Sequence, residues 1–195
     1  MRVLLVAEGK HERGQEDREG ALETLIRRLH QGIIQCDLDR VSRKDIHAHH
    51  GKGQGYLKKA LRWILEAEKR GYDALVLVID QDNVLRRVQE ITAAQNDQRF
   101  ALRRALGVAI RTFDAWMLAD EQALSRVLGF AVALQRSPEE ISEAKEVCAQ
   151  LLGNSPTTMS QSEFYASVAR EADIDTLERR CTRGFAPFAQ RVRAL

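Results

Sequence analysis

Apolar positions fall into two regimes along the chain. Short apolar runs alternate with helical stripes up to about residue 120, and helical patterns alone follow. Val3-Leu4-Leu5-Val6-Ala7 and Ala74-Leu75-Val76-Leu77-Val78-Ile79 are continuous, rich in β-branched residues and free of Gly and Pro. That is the pattern of a strand buried on both faces. After the first run, Glu19 to His30 sets Leu22, Leu25, Ile26 and Leu29 on one helical face, and Gly32 ends it. Ile33-Ile34 and Ile46-His47-Ala48 are candidate strand segments, and Gly51-Lys52-Gly53-Gln54-Gly55 is a break. A helix is predicted over Tyr56–Lys69, with Leu57, Leu61, Ile64 and Leu65 as its stripe and Gly71 as its stop. A polar helical stretch runs from Val84 to Leu106, and Gly107–Phe113 reads as a further strand leading into Asp114-Ala115-Trp116-Met117-Leu118-Ala119-Asp120. Ser137-Pro138-Glu139-Glu140 has the layout of a helix start, extending to about Leu152. Helices near Ser162–Ala172 and Asp175–Thr182, and a last turn or two after Gly184, complete the chain. Strands alternating with helices predict an α/β fold, a parallel sheet flanked by helices with a C-terminal helical extension. We expect residues 1–125 to form the core and 126–195 to pack on it as the extension.

Composition narrows the picture modestly. With 44% hydrophobic residues the chain can bury a sizeable core, and no apolar run approaches the ~18 residues of a spanning helix. The chain enters a strand at once, without the layout of a signal peptide, so a cytoplasmic location is expected. Net charge of +2 does not choose a partner. The many bases of the first third, such as Arg27, Arg28, Lys58, Lys59 and Arg62, sit on helices among acids and read as solvated faces. Cys36, Cys148 and Cys181 are odd in number and scattered, which suits buried free thiols.

The chemistry concentrates where the two apolar runs end. Glu8 follows the first, and Asp80-Gln81-Asp82 follows the second. Ligands of open α/β sheets bind in the crevice at the carboxyl ends of the strands. Three carboxylates converging there repel one another until a hard cation such as Mg²⁺ neutralises them. Asp82 also suits a cap for the following helix. Glu12 falls about one helical turn beyond Glu8, beside the exposed-loop candidate His11, and Asp114 is a fourth edge carboxylate or an N-cap. His47 and His49 share a strand face but lack a defined third ligand. Trp116, Phe185 and Phe188 are read as core. No GxSxG elbow or Cys-His pair supports a nucleophilic side chain. If the substrate is a polynucleotide, bases must line the approach to this negative edge, and Lys10, Lys52 and Arg86 are the candidates.

Val6-Ala7-Glu8-Gly9 followed by Val78-Ile79-Asp80-Gln81-Asp82 resembles the Toprim domain shared by topoisomerases, primases and nucleases of the overcoming-lysogenization-defect type. More closely, Glu8-Gly9 with Glu12, Gly51-Lys52-Gly53, Asp80-Gln81-Asp82, Ala115-Trp116-Met117-Leu118-Ala119-Asp120 and the terminal Phe185 and Phe188 resemble the bacterial family DUF4276, over nearly the whole chain. The position before Ala115 is commonly glutamate in that family and is Asp114 here. The resemblance implies a Toprim-like sheet and a metal-dependent nuclease using Mg²⁺ or Mn²⁺. It implies catalytic Glu8, Asp80 and Asp82 and metal ligands among Glu8, Glu12, Asp80, Asp82 and Asp114. It further implies a nucleic-acid substrate and a separate ATPase subunit in phage defence, and leaves homo-oligomer formation open. A non-catalytic nucleic-acid- or ATPase-binding partner with vestigial carboxylates is the alternative. A phosphotransferase acting on a small molecule is a third reading.

Overall fold

The computed structural model describes residues 1–9, 12, 14–15, 18–42 and 55–195. Its frame is a four-stranded, wholly parallel sheet of β1 (Arg2–Ala7), β4 (Gln35–Arg40), β5 (Ala74–Asp80) and β6 (Arg103–Ala109), in the order β4-β1-β5-β6. The two-residue strands β2 (Gly14–Gln15) and β3 (Arg18–Glu19) form a separate antiparallel pair. Strands β1 and β5 are central, with Val3 opposite Ala74 and Ala7 opposite Val78. Their continuous apolar runs follow from that place, because both faces of each are covered. Val3, Leu5, Val76 and Val78 meet α1 (Ala21–Leu29) and the C-terminal helices, whereas Leu4, Val6, Leu75 and Leu77 meet α2 (Tyr56–Lys69) and α3 (Arg86–Gln95).

The chain leaves β1 outward to β4, then returns to place β5 on the other side of β1. That reversal is a topological switch point, and it opens a crevice between the carboxyl ends of β1 and β5.

Beyond β6 come α4 (Asp114–Met117), α5 (Glu121–Leu128), a 3-10 turn (Pro138–Glu140), α6 (Ala144–Gly153), α7 (Gln161–Glu171), α8 (Ile174–Arg180) and α9 (Phe185–Arg193). They share one core with α1 and one face of the sheet. Trp116 is fully buried at its centre, with ring centroids of Phe113, Phe185 and Phe188 at 5.1, 5.2 and 5.5 Å. Gly107 admits α9 against β6, since a Cβ there would stand 2.7 Å from Phe188 Cδ2.

Several elements depart from the expectations. The second strand of the sheet is Gln35–Arg40, a polar edge segment rather than a continuation of Ile33-Ile34, and Ile33 is exposed. The Ile46–Ala48 segment lies outside the described residues. Helix α3 stops at Gln95, so Arg103–Leu106 belong to β6, and Ile110–Phe113 follow that strand. On α2 the buried face is Ala60, Trp63, Ile64 and Ala67, which turns Leu65 to solvent. Pro138 opens only a 3-10 turn, and Ser137 makes no side-chain cap. Cys148 and Cys181 are buried free thiols as expected, whereas Cys36 is half-buried.

Candidate functional site

Glu8 sits one residue past β1 and Asp80 ends β5, so adjacent parallel strands deliver both to the crevice. They touch: Glu8 Oε2 accepts a hydrogen bond from the Asp80 amide at 2.9 Å. Glu8 Oε1 accepts from the Tyr56 hydroxyl at 2.6 Å, which brings the first residue of α2 into the site. Asp80 Oδ1 accepts from the Phe113 amide at 2.8 Å, tying the carboxylate to the segment after β6.

Glu12 is buried against Gly9, where a Cβ would lie 2.3 Å from Glu12 Oε1 and would displace that carboxylate. Asp114 enters from the first turn of α4 and accepts from the buried Tyr165 hydroxyl of α7. Glu8, Glu12, Asp80 and Asp114 thus form one acidic group, and its electrostatics show it. Burial, and then the charges of Asp80, Glu8 and Asp114, push the Glu12 carboxyl well above the usual carboxylate range, against a backbone hydrogen bond from Gly9. Burial lifts Asp80 to about 7; the Phe113 amide works against this, and the charges of Glu8, Asp82 and Asp114 add to it.

Asp82 is the member that points elsewhere. It and Asn83 have left-handed backbone, at φ 46° and 60°, and its amide donates to the Arg111 carbonyl at 2.9 Å. Its half-exposed carboxylate pairs with Arg87 Nη1 at 2.6 Å, and the same nitrogen donates to the Asp80 carbonyl at 2.6 Å. Asp82 therefore accepts from a side chain and does not cap α3. Arg87 is nearly buried, and its guanidinium lies 4.5 Å over the Tyr56 ring. Half-buried Lys59 approaches the same ring at 5.4 Å, with a pKa drawn down by burial while the charge of Glu8 opposes the shift. Among the described residues no three His, Cys, Asp or Glu side chains stand ready as a metal-holding group. Glu8 is engaged by Tyr56, Asp82 by Arg87 and Asp114 by Tyr165.

Of the residues singled out from sequence, Glu8, Glu12, Asp80, Asp82 and Asp114 share the edge. Arg86 lies on the exposed side of α3, with its Nε 3.1 Å from Glu90, whose other oxygen accepts from the Tyr56 amide at 3.1 Å. Lys10, His11, Lys52, His47 and His49 lie outside the described residues. Tyr56, Arg87 and Tyr165 escaped sequence reasoning, and Lys59, read there as part of a solvated face, is half-buried beside Tyr56. Only Arg87, five residues after Asp82, lay within reach of a local argument.

The family model for Domain of unknown function (DUF4276) matches residues 16–193, a span that takes in Asp80, Asp82, Asp114 and the C-terminal helices. The chain belongs to this family. Glu8 and Glu12 precede the matched span, so their place in the DUF4276 site rests on the geometry of β1. No curated protein and no solved structure matches the chain significantly.

Proposed function

We propose that this DUF4276 protein is a divalent-metal-dependent phosphodiesterase acting on nucleic acid, with a Toprim-like arrangement of Glu8, Asp80 and Asp82. The supporting observation is the contact of Glu8 with Asp80 at the switch point, inside a group of acids too close together to ionise freely. The donor set fits a hard cation, since it offers carboxylate oxygens whose mutual repulsion, among the described residues, only Arg87 and Lys59 offset. Asp80 and Glu8 would hold Mg²⁺ or Mn²⁺, joined by Asp82 on release from Arg87, with Glu12 and Asp114 behind them. When bound, the metal supplies Lewis-acid charge against the phosphate and acidifies water.

The chain's own residues do the rest. The Tyr56 hydroxyl and the Asp80 amide fix the orientation of Glu8, which takes the proton of the attacking water. Lys59 and Arg87, both stacked on Tyr56, supply positive charge beside a site that must accept an anion. By the same resemblance, ATP-driven action in phage defence would come from a separate ATPase subunit. The test is digestion of DNA and RNA with Mn²⁺ or Mg²⁺ against a chelator control. Cleavage should be lost in chelator and in Asp80→Asn; cleavage that survives both refutes the reading.

One observation favours a second reading, a non-catalytic binding partner: Asp82 is held by Arg87 and not by its fellow carboxylates. Calorimetric titration with Mn²⁺ separates the two. Absence of binding that depends on Asp80 would support the non-catalytic partner.

A further inference from the structure

On the β6 side of the carboxylates a groove of about 980 Å³ opens beside the Asp80–Asn83 turn. We propose that it binds one nucleotide unit of a single-stranded polynucleotide, next to the phosphate at the carboxylates. This rests on the nucleic-acid reading above and names the substrate subsite.

Proximity comes first. Gln81, which lines the groove, lies between Asp80 and Asp82, so the groove adjoins the turn that carries the acids. The volume suits a small-molecule-sized unit. The chemistry of the walls follows. Arg111 has a left-handed backbone at φ 60°, a conformation that is strained for a bulky residue. The turn holds it there: its carbonyl accepts from the Asp82 amide at 2.9 Å, and its amide donates to Gln81 Oε1 at 3.3 Å. Its Nη1 donates to the neutral Asn83 Oδ1 at 3.0 Å, and among the described residues no carboxylate pairs with it. A fixed guanidinium without a counter-charge is therefore presented to the groove, the arrangement that recognises a phosphate.

Arg183 adds a second, half-exposed guanidinium, only 3.6 Å from Glu139. Leu85 at the rim is 76% exposed and offers an apolar platform to a base. Glu139 and Glu140 also line the groove and repel an anion wherever no guanidinium offsets them, which fits one nucleotide at the arginines better than a duplex track.

The test is fluorescence anisotropy of a labelled single-stranded oligonucleotide in Ca²⁺, across a salt series. Arg111→Gln with Arg183→Gln should weaken binding about tenfold and lower the salt slope by about 1. Arg183→Gln with Leu85→Ala, which leaves the strained turn intact, should also lose affinity, and Leu85→Ala alone should do so in part at an unchanged melting temperature. Arg126→Gln, which breaks a pair with Glu171 on the C-terminal helices, should bind like wild type. If wild type binds and both double variants match it, the groove assignment is overturned and the nucleic-acid reading stands. The groove is then left to a protein segment. If wild type binds no oligonucleotide, both fall.

Discussion

Asp80 and Asp82 are chemically identical and two positions apart, yet their surroundings give them different states. Asp82 is half-exposed with an arginine partner, while Asp80 faces Glu8 with, among the described residues, only an amide for relief. Burial and its acidic neighbours raise Asp80 to about 7, so the folded protein keeps that proton where the unfolded chain, near 3.9, has lost it. The stability this gives is fully present below about pH 4 and is lost as pH rises through about 7. Asp80→Asn keeps an acceptor for the Phe113 amide and removes the charge. In chelator it should melt above wild type at pH 8, and the two should converge toward pH 4. A variant that melts lower at pH 8 would make the carboxylate structural. Asp80→Ala is the poorer test, because it orphans the Phe113 amide. Arg87 acts in the opposite sense. Arg87→Gln loses hydrogen bonds to Asp80 and Asp82 and should cost about 2 kcal/mol without metal, measured by urea unfolding. It also frees Asp82, so calorimetry should show Mn²⁺ binding tighter by about 1 kcal/mol, roughly fivefold. Unchanged Mn²⁺ affinity would mean that Asp82 is not a ligand.

Elements were readable from sequence in proportion to how local their causes are. β1 and β5 stand out because both faces are buried, and the bounds of α2 because the Gly51–Gly55 break in the sequence and the Gly71 stop at φ 68° flank it, although its buried face departs from the predicted stripe. β4 carries Asp37 and Asp39, which look wrong for a strand until their partners are known. Tyr72 donates to Asp37 at 2.8 Å and Arg70 pairs with Asp39 at 3.4 Å, from residues more than thirty positions away. An edge strand tolerates such charges and is protected by them. The Ser137–Glu140 start failed for a similar reason. Glu139 is drawn into the core to accept from the amides of Arg183 and Gly184, at 3.0 and 2.7 Å, which holds the segment as a 3-10 turn with no side-chain cap from Ser137. Asp120 combines local and distant roles. It caps α5 through Gln122 and Ala123 at 2.9 and 3.1 Å, and its second oxygen accepts from the Asp173 amide before α8 at 2.8 Å. Asp120→Ala should therefore cost more than a single cap, about 2–3 kcal/mol by urea midpoint. A loss below about 1 kcal/mol would show that water replaces the Asp173 contact.

For the molecule as a whole, the sheet rule placed the acids at one edge before any coordinates, because parallel strands all end on the same side. It did not reveal what holds the acids apart. Tyr56, Arg87 and Tyr165 reach them from three different helices, and no short-range pattern encodes that meeting. Net charge of +2 was silent as well, since it sums over the chain what Glu8, Glu12, Asp80 and Asp114 confine to one edge. That confinement yields a thermodynamic test independent of turnover. A ligand that binds only the folded state stabilises it by about 2.7 kcal/mol at a hundred times its Kd. For a domain of this size, each kcal/mol moves Tm by about 2–4 °C. Saturating Mg²⁺ should thus raise the wild-type Tm by about 5–10 °C at pH 8. At pH 5 the shift should shrink, because the Asp80 proton competes with the cation. Asp80→Asn should lose most of the shift at pH 8 while starting from a higher metal-free Tm, since it already lacks the repulsion that the metal relieves. This crossing of baselines separates a ligand from a structural aspartate, whose loss would lower the baseline. Equal shifts in wild type and variant would place the cation elsewhere on the molecule, and the carboxylate edge would then be a relic.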